Sequence, residues 1–159
     1  MKTIGMAGLL LAALAVATPA RAGHDIPIRM SGSITASDSP DLGCSGFRGT
    51  NSGVLTGPPF GRATWTDHHC GDALAEPGVI TVRDANFTLV SRAGSISGTL
   101  DGRGILADGG GQFFASGHFT VTSGTGRYAG ATGGGLVQDA GPAVGGSDRF
   151  EISGSLTLR

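Results

Sequence analysis

The sequence has little positive charge and no cluster of basic residues. Lys2 is its only lysine, and 11 basic residues are spread over 159 positions together with 12 acidic ones. Proteins that bind nucleic acid or anionic membrane surfaces through charge present a concentrated positive patch. We therefore expect no nucleic-acid partner, and the only partner we predict is a small hydrophobic molecule.

Long apolar runs are also scarce, since the one clear run lies at the start of the chain. It covers residues 6–17, follows Lys2 and precedes Ala20-Arg21-Ala22. This layout is typical of a secretory signal peptide, and the run is too short for a membrane-spanning helix. We predict that residues 1–22 are a cleaved signal peptide and that residues 23–159 form a single domain. The domain is expected to be secreted or periplasmic, without membrane insertion.

Cysteine occurs only twice, at Cys44 and Cys70. An even number of cysteines in an exported domain favours a disulfide, with a pair of free thiols as the alternative. The bond would close a loop of about 26 residues, which is worth about 3 kcal/mol in the chain-entropy model.

Helical periodicity is missing beyond residue 22, whereas apolar residues alternate with polar ones in many short segments. Glycine, with 30 residues, separates or interrupts these segments. The Asp-Gly pairs at 101–102 and 108–109 are typical of hairpin turns. We predict strands, with bounds to within a few residues, at 26–34, 60–66, 79–90, 96–100, 113–122, 128–131, 135–138 and 149–158.

Four of the segments share a Ser-Gly-x-apolar pattern, which begins at Ser31, Ser97, Ser116 and Ser153. Glycine inside a strand weakens it unless the strand bends sharply or another backbone comes close. Its repetition favours coiled strands that close a small barrel, although glycine content alone is the alternative explanation. We predict an all-β fold, a small antiparallel β-barrel of about eight strands, with a sandwich as the other architecture that such strands allow.

A family resemblance supports the barrel. Residues 117–138 read GHFTVTSGTGRYAGATGGGLVQ, and residues 60–64 read FGRAT. The longer segment resembles the strand–turn–strand signature of the allene oxide cyclase and dirigent barrel families, and especially their small secreted bacterial relatives. The match is carried by Gly124, Thr125, Gly126, Arg127, Tyr128, Ala129, Gly130, Ala131 and Gly133. The resemblance implies an antiparallel barrel with an apolar interior, which in the plant families guides cyclisation or radical coupling of a hydrophobic molecule.

The catalytic positions of those families do not map onto this sequence residue by residue, so no activity, catalytic residue or cofactor is carried over. Barrels of this size are filled by side chains or hold one small ligand. We predict a ligand-binding lumen lined by Trp65, Phe113, Phe119, His118, Tyr128 and Arg127. The alternative for His118 is an exposed or hydrogen-bonded strand residue.

Asp67-His68-His69-Cys70 is the densest polar cluster. Its side chains are of metal-ligating types, but neighbours on a strand point to opposite faces, and Cys70 is expected to be oxidised. A loop cluster held by the disulfide is therefore favoured, and no metal and no cofactor are predicted. Were a metal to bind, Asp67, His69 and a distant residue such as His118 would be the ligands.

These patterns favour a barrel that binds a small hydrophobic molecule without a demonstrated reaction. An isomerase or cyclase of the same architecture is one alternative, and it predicts converging polar groups in the lumen. A packed structural or envelope-interaction protein is the other, and it predicts no cavity. Enzymatic activity and the oligomeric state stay open at the level of sequence.

Overall fold

The computed structural model of the protein describes residues 23–39, 43–73, 76–143 and 145–158. The predicted signal peptide, residues 1–22, lies outside the described residues, so its cleavage stays a prediction. Within the described part of the chain, no helix is long and apolar enough to cross a membrane.

Eight antiparallel strands form one closed barrel in chain order, and the last strand pairs with the first. The all-β barrel predicted from the sequence is therefore confirmed. The strands are β1 (His24–Ser39), β2 (Phe47–Gly57), β3 (Gly61–Ala73), β4 (Val79–Ser91), β5 (Gly94–Ala107), β6 (Gln112–Gly124), β7 (Thr132–Pro142) and β8 (Asp148–Leu158).

The alternation read from the sequence decides which side chains face the interior. In β8, Phe150, Ile152 and Leu156 are buried, whereas Arg149, Ser153 and Ser155 on the opposite face are exposed. The same inside–outside alternation holds in β1 and β6, as the sequence predicts. Burial of one face by the opposite wall of the barrel explains why apolar residues recur at every second position.

Glycines lie where neighbouring strands of the barrel come closest. Gly117 of β6 pairs with Gly102 of β5, and a Cβ at Gly117 would lie 1.9 Å from the carbonyl oxygen of Asp101. Gly135 and Gly154 meet in the same way across β7 and β8. A methyl group at either pair would force the strands apart, so these glycines have a steric reason to be in the interior of strongly coiled strands.

A bulge in β4 explains why its middle looks irregular in the sequence. The pairing with β5 shifts between Val82 and Ala85, and Asp84 has a positive φ of 50°. The extra residue shifts the inward-facing positions by one residue. Val82 lines the interior before the bulge, whereas Ala85 and Phe87 are buried after it.

Three local predictions were wrong. Residues 128–131 do not form a strand but belong to a turn that begins with the short 3-10 helix Gly126–Tyr128. Asp101-Gly102 lies inside β5, where pairing on both sides overrides the turn propensity of the dipeptide. Asp67-His68-His69-Cys70 lies inside β3 and is not a loop, because the strand continues to Ala73.

The strand β2 was not predicted from the sequence. The predicted and observed numbers of strands agree at eight because the wrongly predicted strand at 128–131 offsets the missed β2. Several of its interior positions are glycine or polar, namely Gly49, Asn51 and Gly53, so the segment has no apolar alternation to detect. The second Asp-Gly pair, by contrast, does lie in the β5–β6 connection, where Gly109 has a φ of 66°.

Aromatic side chains fill the middle of the barrel and close one end. The Trp65 ring stacks on Phe87 at a centroid distance of 4.8 Å and also contacts Phe150 at 5.0 Å. At the closed end, the Tyr128 ring lies 4.4 Å from Phe60, and the Tyr128 hydroxyl donates a hydrogen bond to the carbonyl of Pro59. The interior can therefore be reached only from the opposite end, where β1 ends and β8 begins.

Candidate functional site

The opposite end of the barrel is open and contains a cavity of about 490 Å³. Its wall combines two kinds of side chain that rarely occur together in a packed core. Apolar residues supply one part of the lining, and titratable residues supply the other: Phe47, Ile80, Leu106 and Phe113, with Asp38, His69, Asp139 and Asp148. A smaller pocket of about 60 Å³ continues toward Phe150 and shares His69, Phe113 and Asp139 with it.

A depression of about 550 Å³ also lies against the outer face of β5 to β8. Its apolar residues, Ile105 and Phe114, are 47% and 45% exposed, so it is a shallow surface groove. Binding sites for small molecules are concave and bury most of the ligand. The cavity inside the barrel meets this requirement better than the outer groove.

At the base of the cavity, Asp67 is a buried carboxyl with three hydrogen-bonding neighbours. Trp65 donates its Nε1–H to Asp67 Oδ2 at 2.7 Å, and Nδ1 of His69 lies 2.8 Å from Oδ1. Asn51 of β2 contributes a longer contact of 3.4 Å. Asp67 is only 2% exposed, and these partners compensate for its loss of hydration.

The i, i+2 spacing on β3 places Asp67 and His69 on the same inner face. An ionised carboxylate only accepts hydrogen bonds, so with Asp67 ionised the Nδ1 atom of His69 carries the proton. Gly49 of β2 gives room for the ring, because a Cβ there would lie 2.3 Å from Nε2 of His69. Asp67 thereby fixes the orientation of the imidazole at the cavity wall.

Two further carboxyls of the cavity are incompletely paired: Asp148 accepts no hydrogen bond from the described residues, and Asp139 accepts one from the backbone N–H of Ala140. Oδ1 of Asp139 is buried without a partner. Burial, together with the nearby charges of Asp148 and Asp67, raises the pKa of Asp139 to about 7. Burial also raises the pKa of Asp148, and the charge of Asp38 adds to this effect.

Asp38 lies at the rim of the cavity, on β1. Partial burial raises the pKa of its carboxyl, and the proximity of His69 opposes that rise. Three carboxyls therefore converge on the cavity from β1, β7 and β8, and each is easier to protonate than an ordinary aspartate.

Asp72 shows what a partnered carboxyl looks like in this protein. It lies on the outer side of β3, where it accepts hydrogen bonds from the backbone N–H of Ser45 and from Arg83. These hydrogen bonds lower the pKa of Asp72. The neighbouring disulfide between Cys44 and Cys70, predicted from the sequence, is confirmed. Together these contacts hold residues 43–46 against the outside of the barrel.

The predicted lumen residues are distributed over four different places. Phe113 lines the cavity. Trp65, Phe119 and Tyr128 are buried in the packed aromatic core and at the closed end. His118 is 73% exposed on the outer face, with Nδ1 3.8 Å from Asp101 Oδ1, and Arg127 is exposed at the closed end. Whether any of these residues contacts a ligand stays a prediction.

Sequence reasoning missed Asp139, Asp148 and Phe47 as members of the site. The signal was present in the alternation, since Asp148 is in phase with Phe150 and Ile152, and Asp139 with Val137. An acidic residue in phase with an apolar strand face predicts a buried carboxyl when the strand belongs to a closed barrel.

The three residues named above as ligands for a metal, should one bind, do not lie together in the structure. As strand geometry predicts, His68 points outward, with Nδ1 2.9 Å from Oγ1 of Thr50, and His69 points inward. His118 lies on the outer surface, away from Asp67 and His69. No group of three or more histidine, cysteine, aspartate or glutamate side chains in the described ranges is arranged to hold a metal ion.

Comparison with known proteins adds little to this description. No family model matches the sequence. No curated protein matches it significantly. Among solved structures, the chain is similar to a pyocyanin demethylase, with a TM-score of 0.42 and 16% sequence identity over 77% of this chain and 97% of the other. A likeness this weak carries no argument about function, and the resemblance to allene oxide cyclase and dirigent barrels is not confirmed by it.

Proposed function

We propose that this protein is an exported β-barrel that binds a small, largely hydrophobic molecule at its open end. The observation that carries the proposal is the cavity of about 490 Å³, in which Phe47, Ile80 and Phe113 face buried polar groups. Pockets for small molecules typically combine apolar walls with a few polar groups that fix the orientation of the ligand.

The contrast between the two ends of the barrel supports binding over a purely structural role. Stacked aromatic rings and Tyr128 fill the interior from its middle to the closed end. At the open end, Oδ1 of Asp139 and the carboxyl of Asp148 are buried without donors among the described residues. A barrel selected for packing alone would place apolar or fully paired side chains at these positions.

Export is supported by two observations of different kinds. The first 22 residues have the composition of a secretory signal. The disulfide between Cys44 and Cys70 is consistent with an oxidising compartment, extracellular or periplasmic. The resemblance of residues 117–138 to secreted bacterial relatives of the dirigent and allene oxide cyclase barrels agrees with such a location.

An isomerase or cyclase acting in the same cavity is the second candidate function. It is favoured by the imidazole of His69, which Asp67 orients, and by Asp139, whose pKa of about 7 lies close to neutral pH. A general acid or base works best when its pKa is near the working pH. This candidate needs no cofactor, since proton transfer is all that these side chains would contribute.

The test uses protein expressed from the full sequence and purified from an oxidising compartment. Native mass spectrometry would detect a co-purifying small molecule, and the neutral fluorescent probe N-phenyl-1-naphthylamine would report an apolar site. We expect Phe113→Ala to weaken probe binding about tenfold, because a ring contact is worth about 1 kcal/mol or more.

Phe114→Ala is the matched control for this test, because Phe114 is the next residue along β6 but is 45% exposed on the outer face. It should leave probe binding unchanged. A clean apo mass together with no probe binding would contradict the proposal. Equal weakening by both variants would place the probe outside the cavity and would contradict it as well.

A further inference from the structure

We infer that the cavity selects a ligand with a protonated amine, held by Asp148 and Asp139 while an aromatic part of the ligand lies against Phe47 and Phe113. This inference rests on the proposed function, because it names the class of molecule that the same site would bind. It depends on four features of the cavity: its charge, its incompletely paired carboxyls, its aromatic wall and its response to pH.

The charge of the cavity wall is predominantly negative. Asp38, Asp139 and Asp148 reach it from three different strands, and His69 is the basic side chain among its described lining residues. Asp67 adds a fourth carboxyl beneath His69, to which it is hydrogen bonded. A concave site with low-dielectric walls concentrates such a field and attracts cations in preference to anions.

Within this negative field, Asp148 is the side chain best placed to bind a cation directly. It is only 7% exposed, lines the cavity, and accepts no hydrogen bond from the described residues. Its Oδ1 atom lies over Gly141, where a Cβ would come within 1.9 Å of it. The glycine thus leaves room for a carboxylate that the protein itself does not neutralise.

Asp139 presents a second carboxyl on the neighbouring strand, and its Oδ1 atom is also buried without a donor. An ammonium group has three donors and no acceptor, so it can satisfy both carboxyls at once. A hydroxyl offers only one donor, and a carboxylate would add a further negative charge. Among simple polar groups, the ammonium group complements this pair best.

The aromatic wall fits the remainder of such a ligand. Phe47 and Phe113 line the same cavity as the two carboxyls, and Phe47 makes an edge contact with His69 at a centroid distance of 6.2 Å. Aromatic faces attract cations and stack with aromatic rings. A molecule with one or two aromatic rings and a short aminoalkyl group would use both parts of the wall.

Binding of such a cation should release protons. Asp139 is surrounded by Asp148 on β8, by Asp67 and His69 on β3, and, beyond Asp148, by Asp38 on β1. Burial and the charges of Asp148 and Asp67 raise the pKa of Asp139, and a bound ammonium group opposes the effect of those charges. The pKa of Asp139 therefore falls in the complex, and the affinity for the amine rises as the pH increases from 6 to 8.

The test uses isothermal titration calorimetry with three probes that share one aromatic body: 2-naphthylmethylamine, 2-naphthylmethanol and 2-naphthoate. We expect the amine to bind at least tenfold tighter than the alcohol at pH 8, and the carboxylate to show no binding. Between pH 6 and pH 8 the affinity for the amine should rise several-fold, while that for the alcohol changes less.

Asp148→Asn should reduce the preference for the amine about tenfold, and Asp139→Asn provides a second variant with the same expectation. Asp101→Asn is the matched control, because this carboxyl is 78% exposed on the outer face and the substitution makes the same change in net charge. It should leave the preference unchanged.

The outcomes distinguish this inference from the proposed function. Equal affinities for amine and alcohol, or an unchanged preference in both cavity variants, would overturn the inference and leave a binding barrel. Binding of N-phenyl-1-naphthylamine without binding of any of the three probes would also overturn it. Failure of all four compounds would overturn the proposed function and the inference with it.

Discussion

Replacing Asp139 with asparagine should stabilise the protein at alkaline pH and have almost no effect at acid pH. The substitution keeps the size and planarity of the side chain but removes its ability to ionise. Oδ1 of Asp139 has no hydrogen-bond partner among the described residues, so the variant loses no contact at that atom. The expected effect therefore comes from the charge and not from altered packing.

Burial, followed by the charges of Asp148 and Asp67, moves the pKa of Asp139 from its ordinary 3.8 to about 7. One pKa unit corresponds to about 1.4 kcal/mol, so ionised Asp139 destabilises the folded state by about 4 kcal/mol at pH 8. Between pH 4 and pH 7 the folded protein keeps a proton that the unfolded chain has lost. The free energy of unfolding should therefore fall as the pH rises through this window.

The assay is urea unfolding at pH 4, 6 and 8, followed by the fluorescence of Trp65, which is the only tryptophan and is hydrogen bonded to Asp67. Asp139→Asn should lie within about 1 kcal/mol of the unsubstituted protein at pH 4 and be about 2 to 4 kcal/mol more stable at pH 8. The pKa values of Asp38 and Asp148 are also raised, so some pH dependence should persist in the variant.

Asp101→Asn on the outer surface serves as the control and should change stability by less than about 0.5 kcal/mol at every pH. A difference between Asp139→Asn and the unsubstituted protein that is the same at pH 4 and pH 8 would refute the reasoning. Such a result would mean that Asp139 titrates as an ordinary aspartate and that burial does not disfavour its charge.

Two further predictions concern the framework of the barrel. Reduction of the Cys44–Cys70 disulfide, which closes a loop with a sequence separation of 26, should lower the free energy of unfolding by about 3 kcal/mol, and urea unfolding with and without reductant measures this. Gly117→Ala should cost several kcal/mol or prevent folding, because the added methyl group meets the carbonyl of Asp101 at 1.9 Å. Circular dichroism and soluble yield would show the loss, with the exposed neighbour Ser116→Ala as a control that should behave like the unsubstituted protein.

Strand alternation made much of the fold predictable. The inward residues of β1, β6 and β8 follow directly from their spacing, because a strand in a closed barrel buries every second side chain. The disulfide was predictable because only two cysteines are present. The strand β2 was missed because its inward residues Gly49, Asn51 and Gly53 carry no apolar pattern, and they are needed for close packing and for contact with Asp67 and His69.

The candidate site was less predictable, because it depends on contacts between residues far apart in sequence. The sequence suggested Asp67 and His69 only as conditional metal ligands, and it assigned them to a loop. It could not show that Asp139 and Asp148 reach the same cavity, or that His118 lies outside it.

The sequence by itself therefore determined the strand period and the all-β class, and it favoured the barrel and the disulfide, since each depends on local spacing or on the count of a residue type. The tertiary structure alone decided which end of the barrel is closed, where the cavity lies and which carboxyl oxygens are left without donors. Those properties arise when side chains from separate strands meet across the interior. Closure of β8 onto β1 pairs Asp148 with Ile34 and brings it within the electrostatic influence of Asp38.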